Sequence, residues 1–267
     1  MRSSSSDLRG RYPGWALVTG GSSGIGLGFS EALAKRGFDV VLVARSEAKL
    51  REAAREIESR HGVNTRTVVQ DLAEPCAARK VMDAVADLDI GVLVNNAGTG
   101  WIGRFELAPA GSHSQLVALH CTAPVELTAL ILPRMRKAGR GAVIFVSSAG
   151  GYVPLPYYAV YSGTKAFLAT WGEALAAELQ GSGIDVLVVA PGDTKTNFQA
   201  VAGEMSTRWM TVDAVVSESL KGLGRKTVVV PGWGDKLSLL LTRFLPRRAL
   251  IRIVGARQRA QTPVDRR

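Results

Sequence analysis

Three polar side chains have the types and the spacing that proton transfer requires. Tyr161 and Lys165 lie four residues apart in a predicted helix, so both side chains leave one face and can reach the same ligand. An isolated phenol, with a pKa of about 10, stays protonated at neutral pH, and a neighbouring ammonium group favours the phenolate. Ser148 ends the preceding predicted strand, thirteen residues before Tyr161. These residues predict an acid–base site at a strand end.

A glycine-rich turn follows the first predicted strand and leads directly into an amphipathic helix. Its sequence is Thr19-Gly20-Gly21-Ser22-Ser23-Gly24-Ile25-Gly26. Glycines permit a tight turn and a close approach of the backbone to a pyrophosphate, and the helix amino terminus presents unpaired N–H groups to the anion. Because a strand precedes the turn and a helix follows it, the pattern indicates a dinucleotide-binding turn.

The end of the second predicted strand indicates which dinucleotide binds. An NAD site places an acidic side chain there for the ribose 2′-hydroxyl, whereas this strand ends at Arg45. An arginine can pair with a 2′-phosphate through a charge-assisted fork, and the Ser22 and Ser23 hydroxyls are nearby. The residues favour NADP(H), the alternative being that Arg45 is a solvated surface arginine.

The elements that position these residues alternate along the chain as repeated strand–helix units. Strands are predicted at 15–19, 39–44, 66–70, 91–94, 142–147, 184–190 and 227–230, and helices at 24–36, 47–60, 75–87, 113–138, 159–180 and 211–221. The strands are continuous apolar runs, as expected where helices cover both faces. The pattern predicts an α/β, three-layer, doubly wound Rossmann fold with a seven-stranded parallel sheet, which binds ligands beyond the carboxyl ends of its strands.

Composition divides the chain into three parts. Residues 1–13 lack periodicity and are expected to form a mobile leader, 14–232 the catalytic domain, and 233–267 a basic amphipathic extension. The net charge of +10 is uneven, since residues 1–220 carry 21 basic and 21 acidic side chains and the remainder carries 12 and 2. Two cysteines and the lack of a secretory pattern predict a reducing, cytoplasmic setting.

The chain resembles the short-chain dehydrogenase/reductase family from Trp15 to about Pro231. The resemblance rests on an ordered set of motifs: Thr19-Gly20-x-x-x-Gly24-x-Gly26, Asp71-Leu72, Asn95-Asn96-Ala97-Gly98, Ser148, Tyr161-x-x-x-Lys165 and Pro191-Gly192. It implies an oxidoreductase that interconverts a carbonyl and an alcohol by hydride transfer with NADP(H). By this resemblance Tyr161 gives or takes the hydroxyl proton, Ser148 orients the carbonyl, and Lys165 binds the nicotinamide ribose and lowers the tyrosine pKa.

The resemblance also implies a wider set of cofactor contacts. Asp71 is expected to contact the adenine, and the segment from Asn95 to Gly98 the adenosine ribose, although asparagine and glycine also favour turns on their own account. The full predicted cofactor set is Gly20, Ser22, Ser23, Gly24, Ile25, Gly26, Arg45, Asp71, Leu72, Asn95, Ala97, Gly98, Tyr161, Lys165, Pro191, Gly192, Thr194 and Thr196. No metal site is predicted.

One position departs from the family pattern. Where the family carries an asparagine that holds a water linked to the catalytic lysine, the aligned residue here is His120. Imidazole can donate and accept, so His120 could support the same proton relay or make it sensitive to pH near neutrality. The alternative is a histidine that packs within its helix. His120 is included among the predicted catalytic residues with these alternatives open.

Apolar side chains in the strand-end loops predict a hydrophobic small-molecule substrate. The segment 192–210 lies where family members carry a mobile substrate lid, and Met210 ends it. The predicted substrate contacts are Trp101, Tyr152, Leu155, Tyr157, Phe198, Met205 and Trp209. Their alternative role is ordinary packing. Tyr157 and Tyr158 are not expected to transfer protons, because no lysine follows either of them by four residues.

The sequence indicates less about binding partners than about the reaction. Apolar and basic residues alternate at helical spacing on both sides of Pro246, which suits a peripheral contact with an anionic membrane, a partner subunit or simple solvation. The family resemblance implies a homodimer or homotetramer through the helices at 113–138 and 159–180. A catalytically impaired nucleotide sensor or scaffold is the alternative function. No nucleic acid is expected, since only the tail charge would favour it.

Overall fold

Seven parallel strands form the middle layer of the protein in a computed structural model, which describes residues 7–196 and 210–261. The strands are β1 (Trp15–Thr19), β2 (Val40–Ala44), β3 (Thr65–Val69), β4 (Ile90–Asn95), β5 (Gly141–Val146), β6 (Ile184–Val189) and β7 (Val228–Val229). Their order is β3-β2-β1-β4-β5-β6-β7, and every neighbouring pair is parallel. The predicted seven-stranded parallel sheet is confirmed.

Helices cover both faces of this sheet. In the described ranges they are α1 (Leu8–Arg11), α2 (Gly24–Ala34), α3 (Glu47–His61), α4 (Ala77–Ala84), α5 (Ser112–Val117), α6 (Ala123–Ala138), α7 (Ala159–Glu178), α8 (Val212–Gly222), α9 (Trp233–Thr242) and α10 (Arg247–Gln261). Successive strand residues point to opposite faces, so Val18 packs with α2, α3 and α8, whereas Leu17 packs with α4, α6 and α7. These two apolar cores give the three layers of the predicted Rossmann fold.

A π-helical turn, Ala118–Thr122, joins α5 to α6. The combined run Ser112–Ala138 is long and apolar enough to cross a membrane by length and composition. However, Leu127, Ile131 and Met135 of this run are buried against the sheet, so packing in the core accounts for its hydropathy. The turn carries His120, and π-helical turns occur frequently at functional sites.

The amino-terminal segment is anchored over part of the length that the sequence assigns to a mobile leader. Leu8 is buried and Tyr12 is fully buried beside β1. The Tyr12 hydroxyl donates to Asp185 Oδ2 at 2.6 Å, and Arg11 forms an ion pair with the same carboxylate at 2.7 Å. The order expected to begin near Trp15 therefore begins by Leu8, because a buried aromatic ring and a shared carboxylate hold this segment to β6.

The bond between Tyr12 and Asp185 should be measurable as stability. Tyr12→Phe keeps the ring and removes the donor, and a hydrogen bond to a charged group contributes about 1.5–3 kcal/mol. Since Arg11 still neutralises Asp185, we expect the free energy of unfolding to fall by about 1–2 kcal/mol in urea titrations. The control is Tyr152→Phe, because the Tyr152 hydroxyl bonds Glu173 at an exposed position. This variant should lower the free energy of unfolding by less than about 0.5 kcal/mol. Equal losses in both variants would show that Tyr12 is not an anchor.

Candidate active site

The carboxyl ends of β1, β4, β5 and β6 line a cavity of about 530 Å³. Its wall includes Gly20 after β1, Asn96 after β4, Ser148 after β5 and Gly192 after β6. Ligands of parallel α/β sheets bind at this edge. The glycine turn and the predicted acid–base residues therefore share one cavity, although they are far apart in the sequence.

The glycine turn presents backbone donors to this cavity. Helix α2 begins at Gly24, and Ser23, the residue before it, makes no side-chain capping bond, so the first N–H groups can bind an anion. Gly20 and Gly24 have φ angles of +67° and +55°, which favour glycine. A Cβ at Gly26 would collide with the Gly20 carbonyl oxygen and the Asn96 side chain. Gly26 thus acts by close packing, and Ser22 does not line the cavity.

Two cations lie beside the turn. Arg45 lines the cavity with a largely exposed side chain, 3.6 Å from Asp71 Oδ2. Lys49, in the first turn of α3, lines it as well, and sequence reasoning missed it. The sequence pattern that could have indicated Lys49 is its four-residue spacing from Arg45 at the junction between a strand and a helix. Asp71 does not line the cavity and pairs with Arg45 beside it. Leu72 is buried in the core.

Thr19 connects β1 to the residues after β4. Its Oγ1 accepts hydrogen bonds from the Asn96 and Ala97 backbone N–H groups and donates to the Val94 carbonyl. Asn96 Nδ2 also donates to the Thr19 carbonyl at 2.8 Å. Asn95 points away and donates to Thr128 of α6. Asn95 and Ala97 therefore fix the loop, while Asn96 and Gly98 line the cavity.

Ser148, Tyr161 and Lys165 line the same part of the cavity. Ser148 Oγ accepts from the Gly150 N–H at 3.0 Å, which leaves the hydroxyl with a hydrogen to donate. Tyr161 stacks on Tyr158 with ring centroids 4.1 Å apart, and Lys165 Nζ lies 5.7 Å from the Tyr161 ring centroid. The predicted helical spacing thus brings the phenol and the ammonium together, and the end of β5 adds the Ser148 hydroxyl to the lining of the same cavity.

The Lys165 ammonium is buried. Nζ donates to the Val146 carbonyl of β5 at 2.9 Å, and the Ser147 hydroxyl donates to the Lys165 carbonyl at 2.7 Å. Burial disfavours the charged form and lowers the Lys165 pKa to about 8. Two further ammonium hydrogens remain for a ligand. Lys165 is therefore positioned by β5 before any ligand binds.

His120 is completely buried between the loop after β4 and α7. Its Nε2 accepts from the Thr99 N–H at 3.0 Å, so Nδ1 carries the hydrogen and donates to Thr164 Oγ1 at 2.9 Å. The Thr164 hydroxyl in turn donates to the Tyr161 carbonyl at 2.8 Å. Burial, and then the Lys165 charge, hold the His120 pKa well below its ordinary value. Both ring nitrogens bond protein groups, as in the packed alternative for His120, and these bonds indicate neither a switch near neutral pH nor a proton relay through the imidazole.

Helices α9 and α10 supply one wall of the cavity. From the sequence, both helices belong to the C-terminal extension and not to the catalytic domain. The lining residues from these helices are Asp235, Ser238, Leu239, Thr242, Val254, Arg257 and Gln258. Arg257 Nη2 lies 3.9 Å from Asp193 Oδ2. Burial and then Asp193 raise the Asp235 pKa, while Arg257 opposes them. The only sequence signal for this wall was the helical spacing after Pro231.

The predicted substrate residues separate in the structure. Leu155 lines the main cavity, whereas Trp101 and Tyr157 line a second cavity of about 320 Å³, and Tyr161 lines both cavities. Tyr157 adopts a left-handed backbone, with φ at +66°, and its hydroxyl contacts Arg259 of α10. Tyr152 lines neither cavity, since its hydroxyl bonds the exposed Glu173.

Part of the predicted lid lies outside the described residues, including Phe198, Met205 and Trp209. At its two ends, Thr194 pairs with Met210 in a parallel bridge. Pro191, Gly192, Thr194 and Thr196 line the cavity as the predicted cofactor set has them.

Comparison with known proteins agrees with this arrangement. The model of the short chain dehydrogenase family matches residues 14–207. A very-long-chain 3-oxoacyl-CoA reductase of Aspergillus fumigatus is 41% identical over 179 residues, which is 66% of this chain and 52% of that protein. A very-long-chain 3-oxoacyl-CoA reductase-B of Danio rerio is 36% identical over 70% of this chain and 61% of that protein. The chain thus spans about half to three fifths of these relatives.

Solved structures match over nearly the whole chain. A 7beta-hydroxysteroid dehydrogenase has a TM-score of 0.86 at 30% identity and covers 93% of this chain and 99% of its own. A short-chain dehydrogenase from Sphingobium yanoikuyae in complex with NADPH has a TM-score of 0.79 at 33% identity and covers 89% and 94%. The two alignments extend beyond the region matched by the family model and include part of the C-terminal extension.

The chain belongs to the short-chain dehydrogenase/reductase family. The family is one of oxidoreductases that use a nicotinamide cofactor.

The His120 geometry makes a spectroscopic prediction. Because the Thr99 N–H requires an acceptor and burial opposes protonation, ¹⁵N-labelled protein should show His120 neutral, with hydrogen on Nδ1, through the pH range near about 6.5 in which a free imidazole gains its proton. A His120 resonance that titrates between pH 6 and 7 would contradict this assignment.

Proposed function

We propose that the protein is an NADP(H)-dependent reductase or dehydrogenase of a hydrophobic carbonyl or alcohol compound, with Tyr161 as the proton donor or acceptor. One observation carries the proposal: Tyr161, Lys165 and Ser148 share a cavity with a glycine turn that is flanked by Arg45 and Lys49. A bound dinucleotide of this class supplies or accepts the hydride. The residues of the chain hold the reacting oxygen and move its proton.

Tyr161 and Ser148 would bind the substrate oxygen. The Ser148 hydroxyl keeps a hydrogen for the carbonyl, and the Tyr161 hydroxyl gives its proton as negative charge develops on that oxygen. The Lys165 ammonium stabilises the resulting phenolate because an opposite charge nearby favours the ionised form. In the oxidative direction the phenolate takes the alcohol proton. His120 holds Thr99 and Thr164 in place and is a positioning residue in this scheme.

The preference for the phosphorylated cofactor is supported by charge. Arg45 and Lys49 lie at the end of β2 and the start of α3, where a ribose 2′-phosphate is expected beyond the glycine turn. Asp71 pairs with Arg45 at 3.6 Å and orients the guanidinium. Two cations match the double negative charge of a 2′-phosphate, whereas the 2′-hydroxyl of the other cofactor is neutral and gives them no charge to neutralise.

A hydrophobic substrate is supported by the cavity wall. Val153, Leu155, Tyr158, Leu239 and Val254 are among the residues that line the cavity together with Tyr161. The relatives' names point to bulky apolar compounds, namely very-long-chain 3-oxoacyl-CoA and a hydroxysteroid. We extend only this chemical class to the present chain.

Cellular setting and assembly are further parts of the proposal. A reducing, cytoplasmic setting is supported by two free cysteines, Cys76 and Cys121. A homodimer or homotetramer is supported by exposed apolar side chains on α6 and α7, Val125 and Phe167. Neither feature alters the chemistry at Tyr161.

Replacing Tyr161 by Phe should separate catalysis from binding. The ring and its stacking on Tyr158 remain, so NADPH should bind nearly as well as in the wild type. Loss of the proton donor should lower kcat/KM by about 10²–10⁴-fold. The measurement is NADPH oxidation with a panel of bulky ketones, aldehydes and 3-oxoacyl thioesters, beside fluorescence titration of NADPH. Undiminished turnover would refute the role of Tyr161, and tight NADPH binding without wild-type turnover on any compound would favour a nucleotide sensor.

Replacing Arg45 and Lys49 by Gln should change cofactor preference. Each loses a charged bond to the 2′-phosphate, so the Kd for NADPH should rise by about tenfold to about a hundredfold for each residue, while the Kd for NADH stays nearly constant. Arg55→Gln is the matched control, because Arg55 is an exposed arginine of the same helix that lines no described cavity. Equal losses for NADPH and NADH would place the 2′-phosphate elsewhere.

A further inference from the structure

Helix α9 has two faces of opposite chemistry. Asp235, Ser238, Leu239 and Thr242 line the main cavity, and their spacing places them on one side of the helix. Trp233, Leu237, Leu240 and Leu241 lie on the opposite side at the same helical spacing and are exposed. The polar stripe thus faces inward and the apolar stripe faces outward, the reverse of an ordinary surface helix.

This apolar stripe continues into the following turn and helix. We define the C-terminal apolar face as Trp233, Leu237, Leu240, Leu241, Phe244, Leu245 and Ile253. Trp233 and Phe244 expose 79% and 78% of their surface. In the part of the chain that the structure describes, this face holds seven of the thirteen exposed large apolar side chains. Such a concentration marks an interaction surface, since single exposed apolar residues are usually scattered.

The charges around this face are almost all positive. Arg243, Arg247, Arg248 and Arg252 are exposed within or beside it. The acidic residue of α9, Asp235, lines the cavity on the other side of the helix. An apolar face flanked by arginines complements a surface that is apolar inside and anionic at its rim, which describes a bilayer of acidic lipids.

A second copy of the chain is a poorer match. A two-fold contact places the same patch of both protomers together, so the arginines of one copy would approach those of the other. Like charges brought together in this way oppose association. Anionic headgroups neutralise the same arginines, while the acyl boundary accepts the aromatic and leucine side chains.

We propose that the C-terminal apolar face docks on the surface of an anionic lipid bilayer. Trp233, Leu240, Leu241 and Phe244 enter the boundary between headgroups and acyl chains, and Arg247 and Arg248 contact lipid phosphates. Because α9 also forms the cavity wall, docking brings the cavity close to the membrane. A substrate that dissolves in lipid then has a short path to Tyr161, a consequence that rests on the proposed function, whereas the docking itself does not.

The test is co-sedimentation of the full chain with vesicles of phosphatidylcholine, with and without phosphatidylserine. We expect binding to the mixed vesicles that weakens from low to high salt, and little binding to phosphatidylcholine alone. Arg247→Gln with Arg248→Gln should weaken binding by about twentyfold, since each basic residue near an anionic surface contributes about fivefold. The matched control, Arg79→Gln with Arg140→Gln, removes the same charge from two exposed positions elsewhere and should bind within about threefold of wild type.

The apolar contribution has its own pair of variants. Phe244→Ser should reduce vesicle binding by about tenfold or more. Phe105→Ser, which also removes an exposed ring, should leave vesicle binding nearly unchanged. Circular dichroism and NADPH binding confirm that each variant is folded, and they keep failure of docking distinct from failure of the proposed reaction. The proposal would be overturned by any of three results. The wild type does not bind vesicles, the two serine variants reduce vesicle binding equally, or Phe244→Ser loses self-association while its vesicle binding is unchanged.

Discussion

The buried ammonium of Lys165 is the constraint around which the site is built. Removing a charge from water is costly, and the fold compensates with the Val146 carbonyl at the end of β5. The same strand end holds the helix through the Ser147 hydroxyl, which donates to the Lys165 carbonyl. The pKa of about 8 leaves Lys165 mostly charged at neutral pH, as stabilisation of a phenolate requires. Strand β5 and helix α7 are therefore fixed to each other at the point where chemistry is proposed.

A second brace crosses the site through His120. The imidazole joins the loop after β4 to α7 with one accepted and one donated hydrogen bond, and the π-helical turn that carries it changes the local helical spacing. Gly98 accommodates the ring, because a Cβ there would lie 3.0 Å from His120 Nε2. A neutral imidazole can make both hydrogen bonds, whereas a protonated imidazole could not accept from the Thr99 N–H and would be repelled by the Lys165 ammonium. The imidazole therefore lies directly against a glycine of the loop after β4, where a larger residue would leave less room for it.

The sequence was sufficient to predict the sheet, the helices up to α8 that cover it and the strand-end residues that line the main cavity, because each rests on local patterns. Continuous apolar strands, a glycine turn between strand and helix, and the spacing of Tyr161 and Lys165 all depend on short-range geometry. The position of Lys49 beside the cavity could not be predicted, because it depends on where α3 starts relative to the end of β2. The packing of Tyr12 could not be predicted, since its partner Asp185 is 173 residues away. The separation of Trp101 and Tyr157 from Leu155 likewise depends on the tertiary packing of the loops around Tyr161, which no local pattern encodes.

Helix α9 shows most clearly why periodicity alone was insufficient. The alternation of apolar and basic residues after Pro231 indicates a helix, but it does not say which stripe faces the protein. The usual rule, apolar side inward, would place Leu240 and Leu241 in the core and Asp235 in solvent. The structure reverses this arrangement because the cavity, and not the apolar core, lies beneath the helix, so Asp235, Ser238 and Thr242 face a space that admits a ligand. The apolar stripe is left outside by the same geometry, and the helix that shapes the cavity is also the one that can contact a membrane.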